Sequence, residues 1–194
     1  FLPPVDRFSP AIFAFEQLPI DQHWRLQFGG RYEHTVLDAE GFTSDSFNPF
    51  GLSTGVVWDP TGKTDYTIGV SFAYTERAPA ATELYSDGPH IARQTFEVGV
   101  SSLGVESSLG ADLTFKKNTG LVTGGLNLFV QDYNNYINLA GTGGIDDGLP
   151  VFQYEDIDAR LWGFEASTVL HIHELFDLWA HDLDFGVQLD YVRG

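Results

Sequence analysis

From Tyr66 to Tyr74 the chain alternates without a break: Tyr66, Ile68, Val70, Phe72 and Tyr74 fall on one side, Thr67, Gly69, Ser71 and Ala73 on the other. A strand has a side-chain period of two, so this stretch predicts a β-strand with one apolar, aromatic face and one small or polar face. The pattern recurs. Trp24, Leu26, Phe28 and Tyr32 oppose Arg25, Gln27, Gly29, Arg31 and Glu33. Leu109, Ala111, Leu113 and Phe115 oppose Gly110, Asp112, Thr114 and Lys116, and Trp162, Phe164 and Ala166 oppose Gly163, Glu165 and Ser167. Leu183, Phe185, Val187, Leu189 and Tyr191 oppose Asp184, Gly186, Gln188 and Asp190. The periodicity predicts about eight strands, roughly 10–18, 24–36, 50–58, 65–76, 105–116, 121–138, 151–170 and 182–192. A helical period is confined to two short stretches, around Ala80–Tyr85 and Glu174–Trp179.

The connections carry a second signal. Short turns follow the first, third and fifth strands: Leu18–Gln22, Asp59–Lys63 and Asn118–Gly120. Longer polar stretches, about 37–48, 77–104 and 139–150, follow the second, fourth and sixth. Short turns at one rim and long loops at the other are the layout of outer-membrane barrels, whereas a sandwich has no reason to alternate this way. Several strands also reach the ~9–11 residues needed to cross a bilayer obliquely. The expected fold is therefore all-β, an antiparallel transmembrane β-barrel segment with apolar rows toward lipid and polar rows toward a wet lumen. A soluble β-sandwich, such as a ligand- or carbohydrate-binding module with the aromatics in its core, is the alternative. A small passive barrel closed by eight strands is a third.

Composition narrows the chemistry. Ten Lys and Arg against 27 Asp and Glu give a formal charge of −17, which leaves no basic stripe for nucleic acid or for anionic inner-leaflet lipid. An acidic surface attracts cations, and it also simply solubilises. With no Cys, thiolate metal sites, a Cys nucleophile and disulfides are excluded. Gly51-Leu52-Ser53-Thr54-Gly55 matches a hydrolase phrase, but it lies inside an alternating strand with no helix after it, so chance is the better reading and no enzyme is expected.

The stretch Ala73–Val98 resembles the segment of TonB-dependent outer-membrane receptors that leaves a barrel strand and enters a large outer loop. The residues that carry the likeness are Tyr74, Arg77, Pro79, Glu83 and Leu84. Phe96-Glu97-Val98-Gly99, with Leu103 and Glu106 after it, resembles the family's returning strand. Asn127-Leu128-Phe129 with Tyr133–Ile137, and Gln153-Tyr154 with Ala159–Glu165, resemble the next two strands. The insertion Ser86-Asp87-Gly88-Pro89-His90 is most similar to a branch associated with zinc uptake. The likeness covers nearly all of residues 1–194, but no plug, TonB box or closing strand with a terminal aromatic is seen. It implies one middle-to-late slice of a barrel of about 22 strands. It further implies an active-transport receptor in the bacterial outer membrane. Such a receptor contacts membrane lipid and lipopolysaccharide, is driven by a TonB-type complex through the plug, and captures Zn²⁺ or a metal chelate as its transported ligand. An isolated slice would leave two strand edges unpaired, so a place in a fuller barrel or a curled closed form is expected.

Glu83, Asp87 and His90 are together the candidate capture residues, because imidazole and carboxylates make a borderline N/O site suited to Zn²⁺. An exposed loop His among solvated acids is the competing reading. His34, followed by Asp38 and Glu40, stands at the outer end of the second strand and is a further metal candidate. His171, His173, Glu174 and His181 cluster at the opposite rim, where metal binding would be incidental or a release point. Asp146-Asp147-Gly148 and Glu155–Asp158 lack calcium-loop spacing and read as solvated acids, or as weak divalent sites bridging lipopolysaccharide. Arg77 and Pro79 read as structural: Pro ends the ladder, and Arg pairs with loop carboxylates.

Overall fold

The computed structural model describes residues 1–172 and 183–194, so His173, His181 and the stretch Glu174–Trp179 lie outside the described residues. In chain order the first strands are β1 (Val5–Phe8), β2 (Ala11–Pro19), β3 (Trp24–Glu33), β4 (Thr35–Ala39), β5 (Asp45–Phe47), β6 (Phe50–Trp58) and β7 (Tyr66–Arg77). After the short helix α1 (Ala81–Tyr85) come β8 (Asp87–His90), β9 (Thr95–Val98), β10 (Glu106–Lys117), β11 (Val122–Asp146), β12 (Leu149–His171) and β13 (Asp184–Arg193). The alternating segments are β2, β3, β6, β7, β10, β11, β12 and β13, and each pairs antiparallel with the next.

Register turns the alternation within each strand into rows across the sheet. Leu18, Leu26, Val56, Val70, Leu113, Leu128, Phe164 and Tyr191 are successive cross-strand partners, one apolar row running through the whole meander. One residue along, on the other face, Arg25, Val57, Gly69, Thr114, Asn127, Glu165 and Asp190 form a largely polar row. A slip of one residue in any pair would break both rows, because it would turn every side chain of that strand over. The apolar row lies open: Leu113 and Leu128 are 44 % and 42 % exposed. Among the described residues no second sheet covers them, so the aromatics do not form the core of a sandwich. Such a surface is stable against acyl chains and costly against water. Among the described residues β2 and β13 do not pair with each other, so the sheet is an open slice and the small closed barrel is not formed.

Aromatic pairs mark both ends of the apolar face. Near the short turns Trp24 stacks on Trp58 at 5.7 Å, and Tyr66, with the Lys117 ammonium 5.8 Å from its ring, meets Phe115 at 6.3 Å. Toward the other end lie Phe50–Tyr74 at 5.3 Å and Trp162–Tyr191 at 5.8 Å. Rings with a polar edge favour the level where hydrocarbon meets headgroups. Gly163 is required where β12 meets β13: a Cβ there would lie 2.0 Å from the Tyr191 carbonyl oxygen.

Two expectations need correction. The stretch 139–150 is not a loop. The β11 and β12 strands run far past the rim and turn at Asp147-Gly148, both with positive φ (48° and 77°), the two-residue hairpin geometry that this dipeptide favours. Phe96-Glu97-Val98 is not a returning wall strand either. It is β9, which pairs parallel with Val151–Gln153 of β12 above the rim, and the wall resumes at Glu106. The buried hydrophobic cluster (Leu37, Ala39, Leu84, Tyr85, Leu103 and Ile137) also sits in this outer crown, not in the wall.

At the opposite rim Asp59 organises its turn. It accepts the Thr61 N–H (3.0 Å) and hydroxyl (2.9 Å), the Gly62 N–H (2.9 Å) and the Thr64 N–H (2.5 Å). Burial alone would raise its pKa, but the Thr64, Thr61 and Gly62 donors hold the carboxyl below the ordinary aspartate value. A depressed folded pKa means the stabilisation is whole above about 3.9 and is lost as pH falls through the lower folded value. Amide exchange at Thr61, Gly62 and Thr64, corrected for intrinsic rates, should stay slow to about pH 4 and quicken below it. In Asp59→Ala it should be fast with no acid transition. A second prediction concerns the wall. In the whole protein folded into phospholipid vesicles, Leu113→Arg should cost about 2–4 kcal/mol by denaturant titration and Thr114→Arg far less. Equal costs would refute a lipid-facing apolar row.

Candidate functional site

Where β7 leaves the wall, Arg77 becomes the node of the outer crown. Its Nη1 donates to both oxygens of Glu83 (3.1 and 2.9 Å), and its Nε and Nη2 donate to the two oxygens of Glu106 (3.3 and 2.8 Å). Such forked, charge-assisted bonds fix orientation as well as proximity. Pro79 is fully buried just beyond, and the Glu83 carboxylate also accepts the Ala80 N–H at 2.7 Å, closing the first turn of α1. Glu106 in turn accepts the Ile137 N–H at 2.9 Å.

The crown packs around α1. Leu84 and Tyr85 are buried against Leu37 and Ala39 of β4, Leu103 and Ile137. The Tyr85 hydroxyl donates to Asp45 at 2.6 Å, and Phe42 lies against its ring at 4.9 Å. Burial first and the Asp45 carboxylate second push the Tyr85 phenol well above its ordinary pKa, so it stays a neutral donor. Gly99 lets the backbone pass, since a Cβ there would lie 2.6 Å from the Leu84 carbonyl carbon. Glu97 of β9 is buried, taking bonds from Arg93 (3.4 Å) and Thr95 (3.2 Å).

The capture candidates Glu83, Asp87, His90 and His34 lie in this crown or at its base, with different engagements. Both Glu83 oxygens are taken by Arg77. Asp87 and His90 bound β8, with the Asp87 side chain exposed and its N–H donating to the Phe1 carbonyl at 2.7 Å. The His90 ring meets Phe1 edge-on at 5.3 Å, and its Nδ1 is shielded from solvent without a hydrogen-bond partner. His34 Nδ1–H donates to Asn48 Oδ1 at 2.8 Å, which also accepts the Tyr32 hydroxyl. Among the described residues no three His, Asp or Glu side chains are gathered as a metal cage. At the opposite rim His171 lies between Thr123 Oγ1 (2.9 Å) and Asp184 Oδ1 (3.0 Å). Glu106, Asp45 and Tyr85 carry the crown's geometry, yet none was a site candidate from sequence, because their partners are 29 to 40 residues away.

The polar face of the wall supplies a second element. Thr114, Asn127, Glu165, Ser167, Gln188 and Asp190 line a concave volume of about 410 Å³. The Thr114 hydroxyl donates to Asn127 Oδ1 at 2.8 Å. This surface suits water and polar solutes.

Residues 2–193 match the family described as TonB dependent receptor-like, beta-barrel. Solved structures share the fold. The copper transporter OprC aligns with a TM-score of 0.78 at 14 % identity, over 97 % of this chain and 28 % of that one. The FrpB iron transporter from Neisseria meningitidis (F3-3 variant) aligns at 0.66 and 14 % identity, over 98 % of this chain and 27 % of that one. The siderophore receptor PirA from Pseudomonas aeruginosa aligns at 0.56 and 14 % identity, over 97 % and 43 %. The chain thus spans less than half the length of these proteins, and at such identities the likeness concerns the fold.

Removing the phenol tests the crown's packing. Tyr85→Phe should cost about 1 kcal/mol of local stability, read as faster amide exchange in α1 and β5 with the β7–β10 pairs unchanged.

Proposed function

The chain belongs to the TonB-dependent receptor β-barrel family, a family of transport receptors and not of enzymes, and from this premise we propose that it forms wall and crown of an outer-membrane receptor importing a metal ion or metal chelate. The observation that carries the reading is the division of the molecule. An unbroken apolar row lies exposed on one face of the wall, a polar row lies on the other, and a packed crown stands above one rim. Capture falls to the crown, passage to the polar face, and TonB-derived energy acts on a plug held inside the barrel. The bacterial outer membrane is the site of action, with lipid and lipopolysaccharide against the aromatic ends.

Zn²⁺ or a siderophore-like chelate is the proposed cargo. The formal charge of −17 favours cation approach, and neighbours in fold are named as copper, iron and siderophore proteins. Asp87 and His90 are the proposed ligand contacts. Glu83 orders the loop behind them through Arg77, and His34 on the adjoining loop is the further metal candidate. The shielded, unpartnered His90 Nδ1 supports this choice, because a buried ring nitrogen without a partner is poised to gain one.

In the full receptor purified in detergent, His90→Ala and Asp87→Ala should each weaken Zn²⁺ binding about tenfold by calorimetry, a loss of roughly 1.4 kcal/mol. Uptake by cells should stop when the proton gradient is collapsed. Unchanged affinity in both variants, with a ferric chelate bound instead, would move the cargo to the chelate class and remove these residues from the site.

A further inference from the structure

We infer that Glu106 is a positioning residue that joins the loop between β7 and β10 to the outer β11–β12 hairpin, so that the two open and close as one body. This rests on the reading of the crown as the capture region.

Three observations carry it. First, β10 ends where the hairpin goes on: Ser107 pairs with Asn134, Glu106 pairs with Arg77, and nothing on β10 faces Ile137. The Ile137 amide is buried and points to the side that β10 has vacated, so an unpaired N–H there would be costly. The Glu106 carboxylate takes it at 2.9 Å. Second, the same carboxylate holds the Arg77 fork, whose other arm grips Glu83 of α1. One side chain therefore fixes a backbone amide of the hairpin and, through a single guanidinium, the helix of the loop.

Third, the hairpin is hinged just below this joint. Asn134 and Asn135 together face Asp158 alone, and Asn135 has a φ of 54°, a β-bulge in the left-handed region. Bulges bend a strand and interrupt its ladder. Beyond the bend, Ile137 enters the buried cluster with Leu84, Tyr85 and Leu103, and β12 takes β9 of the loop as a parallel neighbour. Ligand contact on β8 would thus load the hairpin as well as the loop, because the ionic joint, the shared cluster and the β9–β12 pairing tie the two together above one hinge.

Hydrogen exchange with mass spectrometry on the full receptor, with no ligand added, tests the joint. Glu106→Gln should speed exchange at least tenfold in two separate segments, 81–85 and 136–141. Glu83→Gln should speed only 81–85, and the paired amides of β10 and β11 below the rim should be unmoved in both variants, which guards against general misfolding. Faster exchange after Glu106→Gln in only one of the two segments would overturn the joint. Because the measurement uses no cargo, a receptor that fails to bind Zn²⁺ would refute the proposed ligand while leaving this result to stand by itself.

Discussion

Backbone pairing is the constraint on which everything else depends. A strand laid against hydrocarbon has no water to satisfy its amides, so each must find a partner on a neighbouring strand in unbroken register. That register produces the row from Leu18 to Tyr191, in which eight successive strands present an apolar side chain at the same step. The row cannot be improved locally. Moving one strand by one residue would put charges such as Asp112 or Glu165 on the apolar face and Leu113 or Phe164 on the polar one.

The crown obeys a different rule. It is wet, so its stability comes from the burial of apolar groups and from charge-assisted bonds, as in an ordinary soluble domain. Its cluster draws on β4, α1, the turn before β10 and the far half of β11, segments scattered along the chain. The hydrophobic arrangement is inverted between the two parts: apolar groups face outward in the wall and inward above the rim. The Arg77 fork stands at the boundary and links the last paired residues of β7 and β10 to the first turn of α1.

Much of the wall was legible from sequence. Tyr66–Tyr74 or Leu109–Lys116 states a strand and its two faces in its own letters, since a period of two needs no partner to be read. The short helix at Ala80–Tyr85 was legible too. The hairpin tip was misread because Asp147-Gly148 was weighed as acid and not as a turn. Phe96–Val98 was placed in the wall by its resemblance to a returning strand, whereas the alternation itself begins that strand near residue 105, close to the observed Glu106.

The candidate site was legible in its residue types and not in its connections. His90, Asp87 and Glu83 stand out as chemistry, but nothing near Glu83 in sequence announces that Arg77 occupies it, and nothing near Glu106 announces Ile137. Alternation and turn spacing, which are local, determined the strands, their order and which face is oily. Tertiary structure alone decided the register of the rows, the extension of β11 and β12 past the rim and the carboxylate that joins loop to hairpin. Those depend on contacts between residues tens of positions apart, and such contacts form only when the chain has folded.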